Sequence, residues 1–219
     1  MRTPIDLRLY VITSGADQSV PAKAAAAAAA GAGVVQVRAK DLTDRALLEL
    51  VSAVAEAVAR ANGTTRVVVD DSVAVARAAM LRGCHVHGVH LGQDDLPVPD
   101  ARRILGPDAV IGLTTGTLDL VRDSSRVADD VDYLGAGPFR LTPTKDSGRP
   151  PLGLTGYPPL VAATRLPIVA IGDVTPEDVG DLAGTGVAGV AMVRAVMAAA
   201  DPGAVVRACL SRWEAQRSS

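Results

Sequence analysis

Residues 34–70 read VVQVRAKDLTDRALLELVSAVAEAVARANGTTRVVVD. The stretch opens and closes on short β-branched runs, Val34–Arg38 and Val67–Asp70, nearly unbroken in apolar character, as strands covered on both faces should be. Between them, over Thr43 to Ala61, Leu47, Leu48, Val51, Val54, Ala55 and Val58 recur at helical spacing and form one apolar stripe. Thr43 stands where an N-cap oxygen is wanted, and Asn62-Gly63-Thr64 reads as a polar turn after the helix. A strand joined to the next by a helix-long crossover is the unit of a parallel α/β fold.

Working outward, the same unit repeats. Strands are expected at Leu9–Thr13, Gly88–Leu91, Val110–Leu113, Tyr133–Ala136, Ile168–Ile171 and Gly189–Val193, each followed by an Ala-, Leu- or Val-rich helical stretch. Ala24–Ala30 is an ordinary helix, since Ala is the best helix former. Eight strands, each followed by a helix, predict an α/β fold of the (β/α)8 TIM-barrel type. An open doubly wound sheet is the alternative, because a strand count does not close a barrel. After the first strand Ser14-Gly15-Ala16-Asp17 carries one glycine, so a dinucleotide-binding fingerprint is missing. No linker or charge block divides the chain, and residues 1–219 read as a single domain.

Composition narrows the function. The 219 residues are 48% hydrophobic and carry 22 Lys+Arg against 24 Asp+Glu, which excludes disorder and leaves no basic surplus for nucleic acid. One Trp, three Tyr and one Phe are too few for a base-stacking platform. The longest apolar stretch, Ala24 to Val35, is too short and too Ala-rich for a membrane span. Met1 to Arg8 has no secretory h-region, and Cys84 and Cys209 make no disulfide framework, so a cytoplasmic setting is expected. The sequence does not set an oligomeric state.

The polar residues fall at the C-terminal ends of the expected strands: Arg38 and Lys40, then Asp71, then Gln93, Asp94 and Asp95, then Thr114 and Thr115. Thr142, Thr144 and Lys145 lie in the loop after the sixth strand, Gly172 and Asp173 follow the seventh, and Arg194 ends the eighth. In a barrel all of these share the face where such folds build active sites. Gln36, Arg38 and Lys40 alternate toward one side; facing inward they need anions, either Asp70 or Asp71 or a ligand diphosphate. Asp71 and Asp95 converge from neighbouring loops, as two carboxylates that hold Mg²⁺ beside substrate phosphates do, or as an acid–base pair. Asp94 is read as a cap of the helix beginning near Val98. The stretch from Gly137 to Gly153 is long for a connection and is expected to be a lid or binding loop. Cys84, His85, His87 and His90 lack zinc-ligand spacing, and His90 reads as a hydrogen-bonded core histidine.

Taken together, Gln36-Val37-Arg38-Ala39-Lys40, Val89-His90-Leu91-Gly92-Gln93-Asp94-Asp95-Leu96, Gly137-Pro138 with Thr142-Pro143-Thr144-Lys145, and Ala170-Ile171-Gly172 resemble the thiamine-phosphate synthase family and its relative, the thiazole tautomerase. The similarity runs from Leu9 to Pro202. It implies a barrel that joins a hydroxymethylpyrimidine diphosphate to a thiazole phosphate and releases pyrophosphate. It also implies Gln36, Arg38, Lys40, Thr114 and Lys145 around the pyrimidine diphosphate, with Arg38, Lys40 and Lys145 catalytic; Asp70 stands beside them as a further substrate-binding candidate, where an amide donor to the substrate is lost. By the same resemblance Thr142, Thr144, Gly172, Asp173, Val193 and Arg194 surround the thiazole phosphate, and Asp71 and Asp95 hold Mg²⁺.

The chain departs from the family pattern at four places. Asp70-Asp71-Ser72 stands for Asn-Asp-Arg, Asp173 for the second of two glycines, Gly116 for a histidine, and Arg194 for a frequent serine. The missing histidine speaks against the tautomerase. Asp173 places a carboxylate where a phosphate is expected, and Arg194 offers an offset. A barrel acting on a different phosphorylated heterocycle is therefore the second reading, and a non-catalytic barrel that binds thiamine-like phosphates the third.

Overall fold

The computed structural model describes residues 4–141 and 148–218. Eight parallel strands run in chain order: β1 (Leu9–Ile12), β2 (Val34–Val37), β3 (Arg66–Asp70), β4 (Gly88–Leu91), β5 (Val110–Thr115), β6 (Tyr133–Ala136), β7 (Ile168–Ala170) and β8 (Gly189–Met192). Each pairs with its neighbour, and β8 pairs back onto β1 through Tyr10 opposite Ala191, so the sheet closes into a barrel. Closure decides against the open sheet.

The helices are α1 (Val20–Ala29), α2 (Asp44–Ala61), α3 (Val73–Leu81), α4 (Val98–Leu105), α5 (Leu118–Asp123), α6 (Tyr157–Ala162), α7 (Val179–Gly184), α8 (Arg194–Met197) and α9 (Pro202–Arg217). The α2 stripe works as its spacing requires: Leu47, Val51, Val54, Ala55 and Val58 are buried, and the Thr43 hydroxyl accepts from the Ala46 amide at 3.3 Å. Asn62 closes the turn behind it, with Oδ1 accepting from the Thr64 amide at 3.0 Å.

Strand alternation separates two apolar regions. One lies between barrel and helices and takes Val35, Val37, Val67, Val69, Val89 and Leu91 with the inner faces of the helices. The other fills the lumen, with Tyr10, Ile12, Val34, Val68, Val110, Tyr133, Val169 and Ala191. Residues two or four further along the chain therefore end at the mouth: Gln36 and then Arg38 above Val34, Asp70 above Val68, Thr114 above Gly112.

Two expectations need correction. β5 runs on to Thr115, because Thr114 and Thr115 pair with Gly135 and Ala136. Asp94 does not cap α4: Pro97 is the N-cap, and no side chain bonds the helix start. Two residues separate Asp94 from Val98 plus the cap itself, which places its carboxylate outside the reach an N-cap needs.

Candidate active site

The mouth of the barrel is assembled from strand ends. On β2, Gln36 is 3% exposed. Its Nε2 donates to Asp70 Oδ1 while Arg38 Nη1 donates to Asp70 Oδ2, so one carboxylate takes both neighbours. Thr13, at the end of β1, stitches this corner: its hydroxyl donates to the Arg38 carbonyl at 3.3 Å and accepts from the Arg38 amide at 3.0 Å. Of the two carboxylates that the sequence offers Arg38, Asp70 is the nearer partner. Arg38 Nη1 stands farther from Asp71, at 3.9 Å, as does Lys40 Nζ. Asp70 is thus spoken for by protein donors.

Asp71 turns the chain out of β3 with a positive φ of 61°, a conformation that Asp tolerates better than most residues. Its amide donates to the His90 carbonyl at 2.9 Å, and Ser72 behind it caps α3 by accepting from the Val75 amide at 3.2 Å. Burial above all, then the charges of Asp70 and Asp95 and a hydrogen bond to Asp95, push the Asp71 carboxyl up to about 6, against the pull of Lys40. Asp95 is held in turn by the Gly92 amide, which donates to Oδ2 at 2.6 Å. A side chain at Gly92 would crowd that oxygen, with its Cβ 3.0 Å away.

Asp95 beside Asp71 raises the proton affinity of Asp71, a repulsion that a divalent cation would relieve. Asp71 and Asp95 fit Mg²⁺, which takes one or two carboxylates and fills its remaining positions with water and phosphate oxygens. Among the described residues no group of three or more His, Cys, Asp or Glu side chains gathers as metal ligands would.

The remaining candidates divide into placed and unplaced. Thr114 Oγ1 bonds His90 Nε2 at 2.9 Å, and the Thr114 carbonyl accepts from Gln93 Nε2. Gly172 and Asp173 follow β7, where Arg194 Nη2 donates to Asp173 Oδ1. Gly172 closes on the β6 end so tightly that a Cβ there would lie 2.6 Å from Pro138 Cα. Val193 precedes α8, and Arg194 begins it. Thr142, Thr144 and Lys145 lie outside the described residues. The structure therefore gathers Gln36, Arg38, Lys40, Asp70, Asp71, Asp95 and Thr114 on one side of the mouth and Gly172, Asp173 and Arg194 on another.

Three participants escaped the sequence reading. Arg149 Nη1 donates to the Thr115 carbonyl at 2.9 Å, and a Cβ at Gly116 would lie 3.2 Å from that nitrogen and 2.2 Å from the Gly137 carbonyl. The position where the family carries histidine has no room for a side chain here. Arg140 bonds the Asp173 carbonyl at 3.2 Å and clasps Asp178 with both terminal nitrogens, which braces the loop after β7. His90 was legible as a core histidine but not as the partner of Thr114. A cation in the long loop after β6 was the available signal for Arg140 and Arg149.

The chain is similar to known proteins. The family model described as thiamine monophosphate synthase matches residues 9–196. The chain is 56% identical over 213 residues to a thiamine-phosphate synthase of Corynebacterium jeikeium, covering 97% of both proteins. It is 54% identical over 203 residues to that of Corynebacterium efficiens, covering 92% of this chain and 93% of the relative. Among solved structures, a thiamine phosphate pyrophosphorylase from Pyrococcus furiosus superposes with a TM-score of 0.80 at 28% identity, over 96% of this chain and 97% of that one.

Proposed function

Since the chain belongs to the thiamine monophosphate synthase family, a family of transferases of thiamine biosynthesis, we propose that its mouth binds hydroxymethylpyrimidine diphosphate and thiazole phosphate with Mg²⁺ and yields thiamine phosphate and pyrophosphate. The observation that carries the substrate assignment is the convergence of Arg38 and Lys40 on the Asp71–Asp95 pair. Cations and carboxylates suited to a metal sit together there. Such a site suits a reaction in which a polyanion departs.

In that reaction the bond between the pyrimidine methylene carbon and the diphosphate oxygen breaks, its electron pair leaves with pyrophosphate, and the thiazole nitrogen supplies the pair for the new C–N bond. A ring nitrogen attacks through its lone pair, so no general base is needed. When bound at Asp71 and Asp95, Mg²⁺ supplies charge neutralisation for the diphosphate oxygens. The chain's own part is electrostatic and positional. Lys40, largely exposed, offers a mobile point charge, and Arg38, fixed by Asp70, offers its remaining donors as part of a planar fork. Lys145 is assigned to the same diphosphate, Thr142 and Thr144 with Gly172 and Val193 to the thiazole phosphate, all within one domain spanning residues 1–219. No helix among the described residues is long and apolar enough to cross a membrane, and a cytoplasmic location belongs to this reading.

The test is to incubate the protein with both substrates and Mg²⁺ and to assay thiamine phosphate and pyrophosphate. Product is expected, and it disappears with EDTA and with Lys145→Ala; product that survives EDTA removes the metal from the reading. A second reading, a changed acceptor, is favoured by Asp173. With the pyrimidine diphosphate saturating, an acceptor lacking its phosphate would then turn over at least as well as the phosphorylated one.

A further inference from the structure

Four side chains on different strands face the lumen and join into one buried hydrogen-bonded chain. Tyr10 Oη lies 2.7 Å from Tyr133 Oη, which lies 3.0 Å from His90 Nδ1, and His90 Nε2 lies 2.9 Å from Thr114 Oγ1. The chain thus runs from the middle of the barrel to the mouth. Burial pushes both tyrosine hydroxyls well above their ordinary range, so each keeps its proton. The fold reserves the space: a Cβ at Gly112 would lie 2.2 Å from the Tyr133 ring and 2.4 Å from His90 Nδ1, and one at Gly135 would lie 3.1 Å from His90 Cε1.

Counting protons gives the chain a direction. Tyr10 meets no side-chain or backbone acceptor other than Tyr133 among the described residues, so it must donate there or bury an orphaned proton. Tyr133, accepting from Tyr10, places its own proton on the lone pair of His90 Nδ1. A neutral His90 then carries its hydrogen on Nε2 and donates to Thr114 Oγ1. The Thr114 proton is left over, pointing away from His90. The reverse direction strands the Tyr10 proton in an apolar lumen.

We propose that His90 is a positioning residue that holds the Thr114 hydroxyl as a hydrogen-bond donor toward an anionic oxygen of the substrate, its tautomer set by Tyr133 and Tyr10. The identity of that oxygen, on the pyrimidine diphosphate, rests on the function proposed above; the tautomer does not.

The chain's three histidines allow a direct reading with ¹⁵N-histidine labelling, the His90 signals being those lost in His90→Gln. Nε2 is expected to carry the proton and Nδ1 to be bare in the neutral ring. A proton on Nδ1 overturns the proposal. Kinetics supply the second arm. His90→Leu is expected to raise KM for the pyrimidine diphosphate on the order of tenfold, as loss of one hydrogen bond to a charged group would, with kcat within about twofold. His90→Gln, which restores an N–H near Nε2, recovers most of the loss. In a Thr114→Val background His90→Leu is expected to add nothing, whereas an undiminished effect there means His90 does not act through Thr114 and overturns the proposal. Should His90→Leu not fold, His90→Gln combined with Thr114→Val and the tautomer still decide. Wild-type protein that makes no product sinks the synthase reading and leaves the tautomer standing; active wild type with Nδ1 protonated sinks the relay alone.

Discussion

Asp173 shows how far one residue can carry an electrostatic argument. Its carboxylate stands where the family presents glycine, and in isolation it would repel an acceptor phosphate. The structure pairs it with Arg194 and holds its backbone at a positive φ of 55°. Two effects then follow from Asp173→Gly: the backbone strain disappears, since glycine takes that conformation freely, and Arg194 is released to a ligand anion. The acceptor-phosphate KM is expected to fall by about three- to tenfold, the effect of freeing one guanidinium at a half-exposed site; an unchanged or higher KM would show that the pair is already the phosphate-binding form. Asp71→Asn removes one of the two carboxylates proposed to hold Mg²⁺, at nearly constant shape. Activity titrated with Mg²⁺ should shift to at least about tenfold higher concentration, because one of two carboxylates is gone, and an unshifted curve would take Asp71 out of the metal set.

Among the secondary-structure elements, α2 is the part most dictated locally. The Thr43 cap and the stripe ending at Val58 need only neighbours in sequence. Thr43→Ala should cost about 1 kcal/mol in a urea titration at unchanged m-value, the usual worth of an N-cap. The start of α4 went differently: aspartates before an apolar residue invite a capping assignment, but Pro97 takes the cap position and Asp95 turns back to the Gly92 amide. β5 is two residues longer than its apolar run because Thr114 and Thr115 find partners on β6. Polar residues that look like a loop become strand when a neighbouring strand supplies the ladder, which is information local sequence does not contain.

For the molecule as a whole, stability rests partly on polar anchors at the end of the barrel opposite the mouth. Arg102, 7% exposed, donates to the carbonyls of Gly106, Pro107, Ala109 and Asp130 and pairs with Asp132 Oδ2 at 2.9 Å. Asp132 Oδ2 also accepts the Ile111 amide at 2.7 Å, so the pair ties α4 to β5 and the start of β6. Arg102→Ala leaves a buried carboxylate and should cost about 3–5 kcal/mol by denaturant unfolding. At the same end His87 Nδ1 accepts the Val67 amide at 3.1 Å. Burial, then the charges of His85 and Arg66, lower the His87 pKa from 6.5 to about 4. Between those values the unfolded chain binds the extra proton, so this group makes stability rise with pH from about 4 to 6.5 and level off above. His87→Asn keeps an acceptor without the titration. The wild-type-minus-variant stability should therefore climb across that window. Asp71, which titrates nearby with the opposite sign, cancels in the difference, and a flat difference would refute the His87 assignment.

By itself the sequence determined the periodicities. Strand runs, helix stripes and their alternation are local consequences of apolar spacing, and they specify eight βα units whose strand ends share one face. That is why Arg38, Lys40, Asp71, Asp95 and Thr114 are legible as one mouth from the sequence. The tertiary structure decided the pairings: Arg38 with Asp70 rather than with Asp71, Asp173 with Arg194, His90 with Thr114, and Gly116 against Arg149. Alternation tells which face a side chain takes, but a hydrogen bond needs partners within about 3 Å. That distance depends on barrel closure and strand register, which join residues far apart in the chain.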